Sequence, residues 1–564
     1  MAKIVIDPVT RIEGHLRIEA EVKNGKITNA WSSSTMFRGL EKILKGRDPR
    51  EAWTFTQRIC GVCTTVHALA SIRAVENALG IVIPDNARII RNIIIGSQNI
   101  QDHIIHFYHL HALDWVDVVS ALKADPVKTA KLAQSISNWP KSSAKYFKAV
   151  KDKISNFVKS GQLGIFANAY WGHPTYKLPP EANLMAVAHY LEALDIQREY
   201  IRVHALLGGK NPHLQTFLVG GMAVPVDPDS ENALNSDSIA LLYKLQNKVK
   251  DFVEQVYLPD LLAIAPFYPE WAKIGEGIGN FLSYGDFPDT YGKNWFPKGV
   301  VINRDLSKVY PVDEKKITEY VTHSWYKYAD ESKGLPPIDG VTEPNYTGPN
   351  PPYEYLNTDE KYSWIKAPRY DDMPMEVGPL ARLVVGYAAG QKEIKKAVDD
   401  FLSKVKAGPE ILFSTIGRTA ARAIETKLMV DKTFQWIDEL AANMNKGELQ
   451  IYDTKWWEPD NWPKEASGYG WHEAPRGALG HWIRIKNKKI ENYQAIVPST
   501  WNASPRDAKG QMGPYEASLI GTPIADPKKP LEILKTIHSF DPCLACAVHV
   551  YNENGEKVSQ VKVM

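Results

Sequence analysis

Cysteine is scarce: four in 564 residues, too few for a disulfide scaffold. Long apolar runs are missing, and nothing reaches the roughly 18 uninterrupted residues of a membrane-spanning helix. A dominant charge is missing too. Lys and Arg number 67 against 65 Asp and Glu, a formal charge of +2, so the basic surplus that neutralises phosphates is absent and nucleic acid is not an expected partner. The N-terminus, MAKIVIDPVTRIEGHLRIE, meets Asp7 and Pro8 after a short apolar stretch, and no signal peptide is read there. There is no internal repeat and no low-complexity linker. With 44% hydrophobic residues and scattered Gly and Pro (37 each), the composition excludes disordered and collagen-like chains.

What is present reads as mixed structure. Residues 15–22 alternate, Asn24-Gly25 is a turn signal, and KITNAWSSS is its return strand. From Ala52 the pattern predicts a helix through FTQRICGVCTTVHALASIRAVENALG, stopping at Gly80. Pro84 opens the next segment. Long helical periodicity recurs at 88–123, 180–207 and 377–447. The stretches 285–375 and 452–480 are too rich in Pro, Gly and aromatics for helices, and 481–497 reads as a second hairpin around a Lys-rich turn. The expected fold class is α+β: predominantly helical, a long central helix bundle with small peripheral β-sheets and long ordered loops. Length alone would allow about three or four domains.

The placement of the cysteines says more than their number. Cys60 and Cys63 form one CxxC and Cys543 and Cys546 another, near opposite ends of the chain. Metal or redox chemistry is the leading expectation. A CxxC at a helix start would have its thiolates stabilised by unpaired N–H groups and the helix dipole. Spacing alone also fits a structural zinc tetrahedron or a dithiol switch. Structural zinc, however, usually staples a small module, and a thioredoxin-like switch needs a βαβ context that is not apparent. If both pairs share one site, the chain ends must meet, which favours one large unit over residues 1–549.

RICGVCTTVH and DPCLACAVH, with RIEGHLRIE, FRGLEKILKGRDPREAWTFTQ, QDHIIHFYHLHALDWVD, EAPRGALGHW and YQAIVPSTWN between and around them, are collinear blocks. Together they resemble the large subunit of nickel–iron hydrogenases, most of all the respiratory, uptake-type branch, over essentially the whole chain. The resemblance implies reversible heterolytic cleavage of dihydrogen at a Ni–Fe centre whose iron carries carbon monoxide and two cyanides. Cys60 and Cys543 would be terminal nickel ligands, with Cys63 and Cys546 bridging nickel and iron. Soft thiolates suit both metals.

Further roles follow from the same resemblance. His67 would hydrogen-bond a bridging sulfur, and Arg476 would hang over the open metal position, steadied by Asp102 and Asp541. Pro498 and Ser499 would face the cyanides, and Glu13 would relay protons from Cys543. Glu41, the Ala495 carbonyl and His549 would bind magnesium (or ferrous iron), while Val62 and Leu110 would narrow a gas channel or simply pack. His103, His106, His109 and His111 crowd one apolar, aromatic helix and read as core hydrogen-bonders rather than zinc ligands.

An iron–sulfur cluster needs about four thiolates, so this chain would carry none and an iron–sulfur small subunit would take the electrons. The resemblance implies a heterodimer or a dimer of heterodimers, passing electrons to a membrane cytochrome b or another acceptor. It would work on the periplasmic side of the membrane, exported with the small subunit. It also implies a maturation endopeptidase that removes residues 550–564 after His549.

Overall fold

The computed structural model describes residues 2–161, 164–167, 169–349 and 355–544. Cys546, His549 and the 550–564 extension lie outside them. The N-terminal strands β1 (Ala2–Ile6), β2 (Leu16–Lys23) and β3 (Lys26–Ser34) form an antiparallel sheet in that order. Asn24 and Gly25 turn the hairpin with φ of 53° and 72°, the paired left-handed residues that a two-residue hairpin needs. The expected in-out alternation of β2 is not found. Leu16 through Ala20 are all buried, because the second face is covered: Arg17 pairs with Glu19 at 2.9 Å, and the Leu356 N–H donates to Glu19 at 2.8 Å.

The continuous helix read from Ala52 to Gly80 is also corrected. Helix Ala52–Thr56 and a 3-10 turn end at Cys60, whose backbone is extended (φ −139°, ψ 139°). The CxxC occupies the turn that follows, and α1 (Val66–Leu79) begins only after Cys63. Thr64, Thr65 and Gly61 are poor helix formers, and an extended Cys60 interrupts the ladder. Gly80 does stop the helix, in the left-handed region. The other long patterns form α2 (Asp85–Ile105), α3 (Pro180–Tyr200), α5 (Pro379–Ala388) and α6 (Thr415–Asn445), and α4 (Ser236–Phe252) is a helix that the sequence reading did not single out. α2 is buried on nearly every side and ends in a π-helical turn, His106–His111. No helix among the described residues is long and apolar enough to cross a membrane.

The stretch 452–480 is not loop throughout. It contains β4 (Glu465–Ala474), which joins β5 (Gly477–Lys486) and β6 (Lys489–Ile496) in a three-stranded antiparallel sheet. Its glycines disguised it. A Cβ on Gly470 would lie 2.0 Å from the Ala70 carbonyl oxygen, and one on Gly468 would lie 2.4 Å from the Ala78 nitrogen. Helix α1 thus lies directly on β4, and that close approach brings the first CxxC to the β4–β5 turn. The last described helix, α7 (Leu531–Ser539), leads into the second motif. There the Glu13 segment pairs with the chain's other end: the Glu13 N–H reaches the Pro542 carbonyl at 3.4 Å, and Leu544 donates to the Glu13 carbonyl at 2.7 Å.

Candidate metal centre

Three sulfurs converge from the two ends of the chain. Cys60, Cys63 and Cys543 are buried, their Sγ atoms all lie within 4.8 Å of one another, and Cys60 and Cys543 approach to 3.6 Å. The turn geometry explains how thiolates are favoured there. The N–H groups of Val62 and Cys63 point at Cys60 Sγ, at 3.3 and 3.4 Å, so backbone donors stabilise the anion without a helix start beneath it. Fixed on the opposite side, the Cys543 N–H donates to Ser499 Oγ at 3.0 Å, and its sulfur lies 3.5 Å from Glu13 Oε2. Ser499 and Pro498 open a short helix immediately after β6. The Ser499 oxygen is taken by a backbone donor, which leaves its hydroxyl hydrogen for another acceptor.

Arg476 comes from the tight β4–β5 turn and is buried. Its Nη1 bonds Asp102 at 3.2 Å and its Nη2 pairs with Asp541 at 3.0 Å. Burial pushes the Asp102 carboxyl up to about 7 against the pull of Arg476, and Asp541 is raised for the same reason. The two carboxylates and the nearby thiols hold the guanidinium charged. His67 stands in the first turn of α1. Burial pushes it down to about 4, so it is neutral. Cys63, His67, Arg476, Pro498, Ser499 and Cys543 line one small void.

The remaining sequence-predicted residues fall elsewhere. Glu41 sits in a separate pocket with Ala495, joined through the Ala495 N–H at 3.0 Å. Sequence reasoning missed its neighbours: Lys366 Nζ is 3.9 Å from Glu41, 3.5 Å from Glu319 and 2.8 Å from Gln494 Oε1. Val62 packs against the cysteine cluster, which does not include Leu110. The histidines of α2 and its π-turn engage core partners: His103 with Glu425 at 2.8 Å, His109 with the Tyr190 carbonyl at 3.2 Å, and His111 with Thr419 at 3.3 Å. His106 reaches the His538 carbonyl.

Also missed was Arg382, which is buried between Glu425 (2.6 and 2.8 Å) and Glu473 (2.8 Å). It donates to the carbonyls of Ala474 and Pro475, at 2.7 and 3.1 Å, immediately before Arg476. Nothing in local spacing marks these residues. Only an arginine beside two buried acids in three dimensions does.

A buried thiol cluster beside a guanidinium, built from both ends of a largely helical chain, is a site that could hold a metal through thiolates. The family model for nickel-dependent hydrogenase matches residues 38–549, and a model described as HoxL-like matches residues 3–32. The uptake hydrogenase large subunit of Bradyrhizobium diazoefficiens is 55% identical, aligned over 100% of this chain and 97% of that protein. The hydrogenase-1 large chain of Escherichia coli is 50% identical over the same shares. Among solved structures, the reduced, active Ni-Fe-Se hydrogenase of Desulfomicrobium baculatum aligns with a TM-score of 0.75 and 36% identity, covering 97% of this chain and 100% of that one. The chain belongs to the nickel-dependent hydrogenase family, as a large subunit of the uptake type.

Proposed function

We propose that Cys60, Cys63, Cys543 and Cys546 would hold a Ni–Fe pair, Cys60 and Cys543 as ligands of nickel and Cys63 and Cys546 as ligands of both metals. The donor set fits: soft, buried sulfurs at mutual distances one small cluster can span, beside a buried imidazole nitrogen, His67 Nε2, with no hydrogen-bond partner among the described residues. The bound group, its iron carrying carbon monoxide and two cyanides, supplies the redox centre at which dihydrogen is split heterolytically. The rest of the chemistry belongs to the chain. Glu13 takes the proton that leaves by the Cys543 sulfur, and the 3.5 Å approach of that sulfur to Glu13 Oε2 is the observation that carries this reading. Arg476, clamped between Asp102 and Asp541, presents a fixed positive charge to the void. Pro498 and the Ser499 hydroxyl would face the cyanides, and Glu41, the Ala495 carbonyl and His549 would hold the magnesium or ferrous ion.

With all four cysteines committed to the centre, the electrons leave through an iron–sulfur small subunit. We further propose that residues 1–549 act as a single catalytic unit and that an endopeptidase removes 550–564. The heterodimer, alone or paired with another, delivers electrons to a membrane cytochrome b or another acceptor on the periplasmic side. Metal analysis and infrared spectroscopy of the purified enzyme test the core of this: equimolar nickel and iron with one carbonyl and two cyanide bands are expected. Zinc without nickel would refute it.

A further inference from the structure

A hydrogen-bonded chain leads away from the thiols through two residues without a role so far. His67 Nδ1 lies 3.1 Å from His481 Nε2, and His481 Nδ1 lies 2.6 Å from the Tyr493 hydroxyl. All three rings are buried. The framework fixes them in place. α1 packs on β4 and β5. In the β5–β6 register His481 faces Ala495, so Tyr493, two residues away, is its diagonal neighbour on the same face. The hydroxyls of Ser71 and Thr56 stand beside the Tyr493 oxygen. At the other end, His67 Nε2 is buried without a hydrogen-bond partner among the described residues, and its ring lines the void with Cys63 and Cys543.

A neutral imidazole carries one proton, so the chain has two polarities. If the phenol donates to His481 Nδ1, His481 carries its proton on Nε2 and gives it to His67 Nδ1. The His67 proton must then be on Nε2, the nitrogen left without a partner among the described residues. In the opposite polarity His67 would turn its Nε2 lone pair into the void that Cys63 and Cys543 line, where the negative charge of thiolates would repel it. The thiolates therefore select the first arrangement. We infer that His481 and Tyr493 are positioning residues that lock His67 in the Nε2–H tautomer, so that an N–H and not a lone pair faces the thiol-lined void. Burial keeps the chain neutral, pushing His481 well below its ordinary value and the Tyr493 phenol up. It acts as a fixed dipole and is ill suited to carry protons.

This inference rests on the nickel–iron reading, and its test separates the two. The probe is the metal-loaded enzyme with its small subunit, read by the infrared bands of the carbon monoxide and cyanides together with turnover. His481→Leu should shift the bands at unchanged nickel and iron content and slow hydrogen oxidation about 10- to 100-fold, the usual effect of losing an outer partner. Tyr493→Phe, which removes one oxygen, should shift them by less. His481→Gln, whose amide can still donate to Nδ1, should return the bands towards their wild-type positions. Wild-type band positions in both His481→Leu and Tyr493→Phe would overturn the inference. If His481→Leu loads no metal, Tyr493→Phe decides by the same criterion. Wild-type enzyme without any such bands would overturn the nickel–iron reading and this inference with it.

Discussion

Replacing Glu13 by Gln changes one proton-accepting group and little else. The side chain keeps its size, and the backbone bonds that tie Glu13 to Pro542 and Leu544 do not involve it. Glu13 is half-buried, so the cost in stability should be below about 1 kcal/mol. The cost in rate should be far larger. Glu13 Oε2 lies 3.5 Å from the Cys543 sulfur, and an amide oxygen there can accept a hydrogen bond but cannot take and release the proton. Loss of a positioned acid–base group costs roughly 10²–10⁴ in rate, about 3–5 kcal/mol of barrier. Hydrogen-dependent dye reduction should fall by that factor, while thermal unfolding, nickel and iron content and the infrared bands stay as in the wild type. Wild-type turnover in a fully loaded Glu13→Gln enzyme would mean that the proton leaves by another route.

Arg476→Lys keeps the charge but loses the fork that spans Asp102 and Asp541. It should assemble normally and turn over slowly, and unchanged kcat would make the arginine structural. Cys546→Ala should abolish hydrogen uptake and the nickel–iron bridge, since retained activity with full metal content is incompatible with a bridging role. Burial raises the Glu425 carboxyl, but Arg382 and His103 outweigh it and hold it near 2. A depressed carboxylate stabilises the fold above its unfolded pKa of about 4.3 and loses that contribution as pH falls towards 2, so Glu425→Gln should cost about 3 kcal/mol near neutrality and progressively less below pH 4. A pH-independent difference in denaturant unfolding would refute the assignment. Intact-mass measurement of active enzyme should find a chain ending at His549, and a nickel-loaded, fully active chain ending at Met564 would exclude cleavage.

Residues that do chemistry or end elements alone can be read in a sequence, whereas residues that act through a distant partner cannot. The paired cysteines, the Asn24-Gly25 hairpin and the Gly80 stop are of the first kind, because one residue type at one spacing is enough to satisfy the physics. Arg382, Glu425 and Glu473 are of the second. Each is an ordinary charged residue on its own element, and only the meeting of Arg382 on α5 with Glu425 on α6 and Glu473 on β4 makes them a buried ion cluster that grips the carbonyls before Arg476. β4 was hidden for a related reason. Its Gly468 and Gly470 read as loop, yet they are glycine because α1 lies on the strand too closely to admit a Cβ. The helix start expected at the first CxxC failed differently, since periodicity runs on through residues 57–65 while Cys60 takes an extended backbone that aims two N–H groups at its own sulfur. That departure is itself chemical. A CxxC inside a regular helix would spend those donors on the helix ladder, and the thiolate would lose the charge-assisted bonds that its extended turn provides.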